Sequence, residues 1–151
     1  MSTRTKPEYK TLHEIFTEVS GAKTKAERVE ILKRHNFLYV RDVIRASFDN
    51  QITLDLPDGI PPFTANEVSK ATSTNGRLAK LTRQIAYFVK GSKTFVKNPL
   101  KREKMWVMIL ETLHPDDVPI FSAMKDKTLD SLFKGINKKL AKEVWPQLIR
   151  D

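Results

Sequence analysis

Apolar residues along this chain recur at helical spacing, in short runs that are repeatedly interrupted. Ile15, Phe16 and Val19 form the first run, and Val29, Ile31 and Leu32 the second. Each follows the same start signal, a threonine with a glutamate three residues on: Thr11 with Glu14, then Thr24 with Glu27. With Gly21 between them as a left-handed terminator, the two predict an αα-hairpin. His35-Asn36 breaks the pattern, and Phe37 to Phe48 predicts a third helix burying Leu38, Val40, Val43, Ile44 and Phe48. Arg41 and Arg45 fall on its other face with Asp42 and Asp49 close by, which suits an ion-paired, solvated surface.

The pattern then changes. Ile52 to Leu56 alternates like a short strand, but the chain offers it no partner strand, so Gln51 to Pro62 is predicted as an extended connector pressed on the helices. Pro57-Asp58-Gly59 supplies a turn within it. A short helix is expected over 65–71 and a loop over 73–76. Arg77 to Lys90 is the clearest amphipathic helix, with Leu78, Leu81, Ile85 and Phe88 on one stripe and Gly91 beyond it as terminator. Asn98 and Pro99 read as N-cap and first residue of the next helix, which carries Trp106, Ile109, Leu110 and Leu113 into the core with Met105 and Met108 beside them. His114-Pro115-Asp116-Asp117 starts another helix over 118–124, the aspartates complementing its dipole, and Lys125-Asp126-Lys127 closes it. A final helix enters at Lys134-Gly135-Ile136-Asn137, buries Leu140 and Val144 and stops at Pro146. Leu148 and Ile149 then tie the end of the chain down. The fold expected is all-α, a compact bundle of about six to eight short helices with one proline-rich connector. The first ten residues form a polar tail, and 11–151 a single helical domain.

Charge changes this picture more than composition does. Of the net +9, all is carried by residues 77–142, which hold fifteen Lys/Arg and six Asp/Glu; the remainder holds twelve of each. A segregated excess of that kind points to a polyanionic partner. Lys90 to Asn98 forms a basic loop with small hydroxyl residues, and Lys101, Arg102 and Lys104 follow in the first turns of a helix, where cations oppose the dipole. Such local conflict marks a site that a bound anion relieves. The candidate contacts are Arg77, Lys80, Arg83, Lys90, Ser92, Lys93, Lys97, Lys101, Arg102, Lys134, Gly135, Lys138, Lys139 and Lys142. No helix arrays Arg, Asn and Gln for base edges, so phosphate contact without sequence preference is expected.

Other chemistry finds no support. With no cysteine in 151 residues, disulfides, thiol catalysis and cysteine-ligated zinc are absent together. His13, His35 and His114 lie at separate helix ends without ligand spacing. There is no phosphate-binding glycine loop, no Gly-x-Ser-x-Gly and no His-Glu-x-x-His. No run approaches the roughly 20 apolar residues of a membrane span. The N-terminus lacks a signal-peptide core, so a soluble intracellular protein without cofactor or metal is expected.

Three stretches carry a resemblance. They are Leu12-His13-Glu14-Ile15 with Gly21, Thr24-Lys25 and Ile31-Leu32-Lys33; Ile85 to Lys93; and Ala141-Lys142-Glu143-Val144-Trp145-Pro146-Gln147-Leu148-Ile149. In order and spacing the chain resembles the N-terminal DNA-binding domain of the ATP-dependent DNA ligases of T-even-type bacteriophages. It is also similar to small proteins of tailed phages, cyanophages included, that share the Met124-Lys125-Asp126-Lys127 and Lys134-Gly135-Ile136 ending. The resemblance implies an all-helical, non-catalytic clamp on the phosphates of duplex DNA, around a nick in the ligase domain, at work in the cytoplasm of an infected bacterium. The ligase nucleophile motif Lys-x-Asp-Gly is missing. Leu132 to Ala141 further resembles a helix-hairpin-helix turn, with Lys134 in place of its usual proline and Asn137, a residue that tolerates the left-handed conformation, in place of its second glycine. A different class of reading, a module binding an acidic replication or transcription protein of phage or host, calls for an exposed patch at Phe95-Val96 or Phe63. A virion component is a third.

Overall fold

Eight α-helices follow one another in the computed structural model, which describes residues 11–65 and 75–150, the side chains of 75–77 excepted. They are α1 (Leu12–Gly21), α2 (Lys25–Arg34), α3 (Leu38–Phe48), α4 (Asn75–Arg83), α5 (Pro99–Thr112), α6 (Val118–Asp126), α7 (Leu129–Leu132) and α8 (Lys138–Val144). Two 3₁₀ segments, Gln84–Phe88 and Pro115–Asp117, extend α4 and lead into α6. The all-α fold stands. The polar tail over 1–10 and the helix and loop expected over 65–76 fall largely outside the described residues.

Local chemistry explains the starts. The Thr11 hydroxyl accepts from the Glu14 N–H while the Glu14 carboxylate accepts from the Thr11 N–H, closing a full capping box. Thr24 caps α2 in the same way, but Glu27 turns to the Lys23 N–H instead of completing the box. Asn98 caps α5 through the Lys101 N–H, with Pro99 at the first position as expected. Gly21 corrects an expectation: it lies within α1 without positive φ, and α1 runs on to an extended Ala22.

α1 packs on α2, α2 on α8, and α3 on both α4 and α6. Trp106 sits at the heart of the core, edge-on to Phe88 at 5.2 Å and tilted against Phe121 at 6.1 Å, as the stripe reading required. Leu78, Leu81, Ile85 and Phe88 are all buried. On α3 the stripe is rotated from the expected one, burying Tyr39 and leaving Leu38 exposed. Met108 likewise faces outward.

The connector finds one partner after all. Leu54 bridges antiparallel to Val89, and the Asp55 N–H donates to the Phe88 carbonyl at 2.8 Å. The Tyr87 carbonyl is taken by the Val96 N–H at 2.9 Å. These outside donors occupy the last carbonyls of the amphipathic helix, whose end tightens to 3₁₀ and leaves through extended Val89. Gly91 therefore does not end the helix directly. It stands at φ +96°, in a turn closed by the Ser92 N–H on the Val89 carbonyl.

Candidate functional site

The basic residues divide between two regions. The first is the turn after the 3₁₀ segment and the start of α5, where Lys90, Lys93, Lys97 and Lys101 are all exposed. None of them ion-pairs among the described residues. The Ser92 hydroxyl donates to the Ala86 carbonyl, which braces the turn and commits its hydrogen.

Arg102 does not belong with them. Helical side chains lean toward the N-terminus, and Arg102 reaches back beneath the preceding loop. Its Nε donates to the Asp55 carbonyl at 2.7 Å and its Nη1 to the Val96 carbonyl at 2.9 Å, while Nη2 lies 3.4 Å from the Asp55 carboxylate. The guanidinium stacks 5.0 Å from the Phe95 ring centroid. At 8% exposure it is a strut, not a free phosphate ligand. Lys125 and Lys127 are withdrawn in the same manner: Lys125 Nζ donates to the Pro57 carbonyl at 2.7 Å, and Lys127 Nζ to those of Ala46, Asp49 and Ile52.

The second region lies where α2 packs on α8. Lys134 and Lys139 are exposed, whereas Lys138 and Lys142 are half-buried and already engaged. The Ser20 hydroxyl donates to the Lys134 carbonyl at 2.8 Å and pins the turn to the end of α1. Gly135 takes φ +92°. Asn137 opens α8 as its N-cap: it is extended at φ −148°, not left-handed as in a helix-hairpin-helix turn, and its side chain accepts from the Leu140 N–H. Lys25 and Arg28 of α2 complete this region, together with Glu143, 3.2 Å from Lys25. Both basic residues sit in the half of the sequence with no net charge, so the segment sum hid them. Their three-residue spacing on one helix face was the available signal.

Beside the first region a groove of about 440 Å³ runs along α3, lined by Leu38, Asp42, Arg45, Arg83, Val89 and Ser92 among others. Burial raises the pKa of Asp42 above its ordinary value, opposed by a hydrogen bond from Thr82 and by Arg41, Arg45 and Arg83. At the start of α3, Asn36 accepts from both Arg41 and the Trp145 indole, which brings the end of α8 to this helix. Lys80 stands apart over the α4–α5 hollow beside Met108, two turns or about 10 Å along α5 from Lys101. The Arg77 side chain lies outside the described residues.

Among the described residues no cluster of His, Cys, Asp or Glu could hold a metal ion, and no helix is long and apolar enough to cross a membrane. Comparison with functionally characterised proteins returns no match. Residues 15–131 match the profile of DUF6433, a family of unknown function, and the chain belongs to that family.

Proposed function

We propose that this protein is a non-catalytic binder of duplex DNA that grips phosphates without reading sequence. The observation that carries the proposal is the group Lys90, Lys93, Lys97 and Lys101, exposed around one braced turn with no carboxylate partner among the described residues. Exposed lysines attract the condensed charge of a phosphate backbone and displace its counterions. The likeness to the phage ligase domain supports the same reading and favours nicked duplex, in the DNA metabolism of an infected bacterium. Phe95 lies under Arg102 and Phe63 packs on the core, so neither offers the apolar patch that the protein-partner reading called for. Leu100 and Met108, 72% and 64% exposed on α5, are the observation that favours a protein partner as second reading.

Fluorescence anisotropy on intact duplex, nicked duplex and single strand at several salt concentrations tests this. Neutralising about six phosphates gives a slope of log K against log salt near −5. Micromolar or tighter duplex binding with that slope, strongest at the nick, is expected. Absence of duplex binding at low salt would overturn the proposal and turn attention to the α5 face.

A further inference from the structure

One guanidinium in the α2–α8 region has donors that the fold does not use. Arg28 Nη2 donates to the Ala22 carbonyl at 3.1 Å, at the turn between α1 and α2. Its Nε is buried without a partner among the described residues. Among the described residues its Nη1 makes no hydrogen bond either, yet unlike Nε it is not sealed from solvent. The glycine above leaves room for this pose. A Cβ at position 135 would stand 2.6 Å from Arg28 Cζ and 2.8 Å from Nη1, so only a residue without one lets the guanidinium lie under the turn.

Arg28 opens onto a cleft of about 150 Å³ whose other walls are Lys25, Gly135, Asn137, Lys139 and Leu140. The charged side chains lining it are all cationic. Glu143 pairs with Lys25 at the exposed edge, and the Asn137 side chain is committed to capping α8. Three like charges from two helices converge on a space too small for a nucleobase and its sugar, with an unmatched N–H at its floor. Like charges repel, and the Nη1 N–H that faces the cleft has no acceptor among the described residues; an oxyanion in the cleft answers both. Arginine and lysine together are the usual chemistry for a phosphate.

We infer that this cleft is a pocket for a single phosphate group, bound by Arg28 Nη1, Lys25 and Lys139. The inference rests on the DNA-binding reading for its ligand, a phosphate of a nucleic-acid strand. Strand ends and backbone both supply one.

Amide chemical shifts under titration with inorganic phosphate test the pocket directly, and duplexes with and without 5′ phosphates test its source. Phosphate should move resonances over 24–28 and 134–140 in the wild type. Arg28→Gln should abolish those shifts and Lys139→Ala weaken them, whereas Lys33→Ala, an equal charge loss on an exposed face of α2, should leave them unchanged. Thermal unfolding of each variant confirms that it is folded, and Lys139→Ala, whose side chain is exposed, serves where Arg28→Gln is not. Duplex affinity should fall about tenfold in Arg28→Gln beyond any loss in Lys33→Ala. If the loss appears only with 5′-phosphorylated duplex, the ligand is a strand end; if it appears with both, a backbone phosphate. No shifts in the wild type, or equal effects in Lys33→Ala, overturn the pocket even if duplex binding persists. Shifts at the cleft without duplex binding leave the pocket standing and overturn the DNA reading instead.

Discussion

Asp117 is fully buried because it serves a helix other than the one it precedes. Its Oδ1 accepts from the His13 N–H at 2.9 Å, in the first turn of α1, while Oδ2 is buried without a hydrogen bond among the described residues. Desolvation lifts the carboxyl from its ordinary 3.8 to about 6, against the pull of that hydrogen bond. Between those values the folded state binds more protons than the unfolded one, so this group's contribution to stability falls as pH rises through the interval. A shift of about two units corresponds to about 3 kcal/mol. Urea unfolding of Asp117→Asn should therefore show the mutant gaining on the wild type by up to about that much between pH 4 and 6. A difference that does not vary with pH would sink the assignment. Arg102→Lys is the second test at this scale. Lysine lacks the fork that serves three carbonyls and a carboxylate at once, and the change should destabilise by about 2–4 kcal/mol. A phosphate ligand alone would lose affinity and keep its melting temperature. Neither role was legible in the sequence, where Asp117 read as complementing its own helix and Arg102 as one more exposed cation. Both depend on backbone brought from distant segments.

Helix starts were legible because they are local. Thr11, Thr24 and Asn98 bond donors three residues away, and spacing along the chain is enough to find them. Helix ends were legible in place, at His35, Phe48 and Lys127 for instance, but not in what closes them. The last turn of α3 is closed from outside by Lys127, whose ammonium meets the carbonyls of Ala46, Asp49 and Ile52. Burial lowers its pKa from the ordinary lysine value, with Asp49 opposing. Lys127 ends α6 as its left-handed cap at φ +62°, a conformation that costs a non-glycine residue about 1 kcal/mol. Two substitutions separate the ammonium from the backbone. Lys127→Ala should lose about 2–4 kcal/mol, from the ammonium's lost bonds to the Ala46, Asp49 and Ile52 carbonyls. Lys127→Gly loses the same contacts but sheds the strain, and should be more stable than Lys127→Ala by about 1 kcal/mol in denaturant melts. If glycine proves the worse of the two, the turn is not strained and the closing of α3 has another source.

At the scale of the whole molecule, the fold class followed from the period of the apolar runs, and the charge asymmetry from counting alone. Counting could not say which cations are available. Of the fifteen Lys/Arg over 77–142, Arg102, Lys125 and Lys127 are bound to backbone carbonyls, while Lys25 and Arg28 join from the neutral half. Equal losses of formal charge should therefore have unequal effects, depending on where each ammonium points. Replacing Lys90, Lys93 and Lys97 together by Gln removes three exposed charges that no described carboxylate pairs. If each meets a phosphate, the slope of log K against log salt shrinks by about 2.7, since each contact contributes about 0.9. The melting temperature should barely move, because none of the three side chains is buried. Lys127→Ala should do the reverse, lowering the melting temperature and leaving the salt slope in place. Anisotropy titrations at four salt concentrations, paired with thermal melts, decide it. An unchanged slope in the triple variant would remove the turn from the interface and leave the α2–α8 cleft as the surface to which a strand must bind.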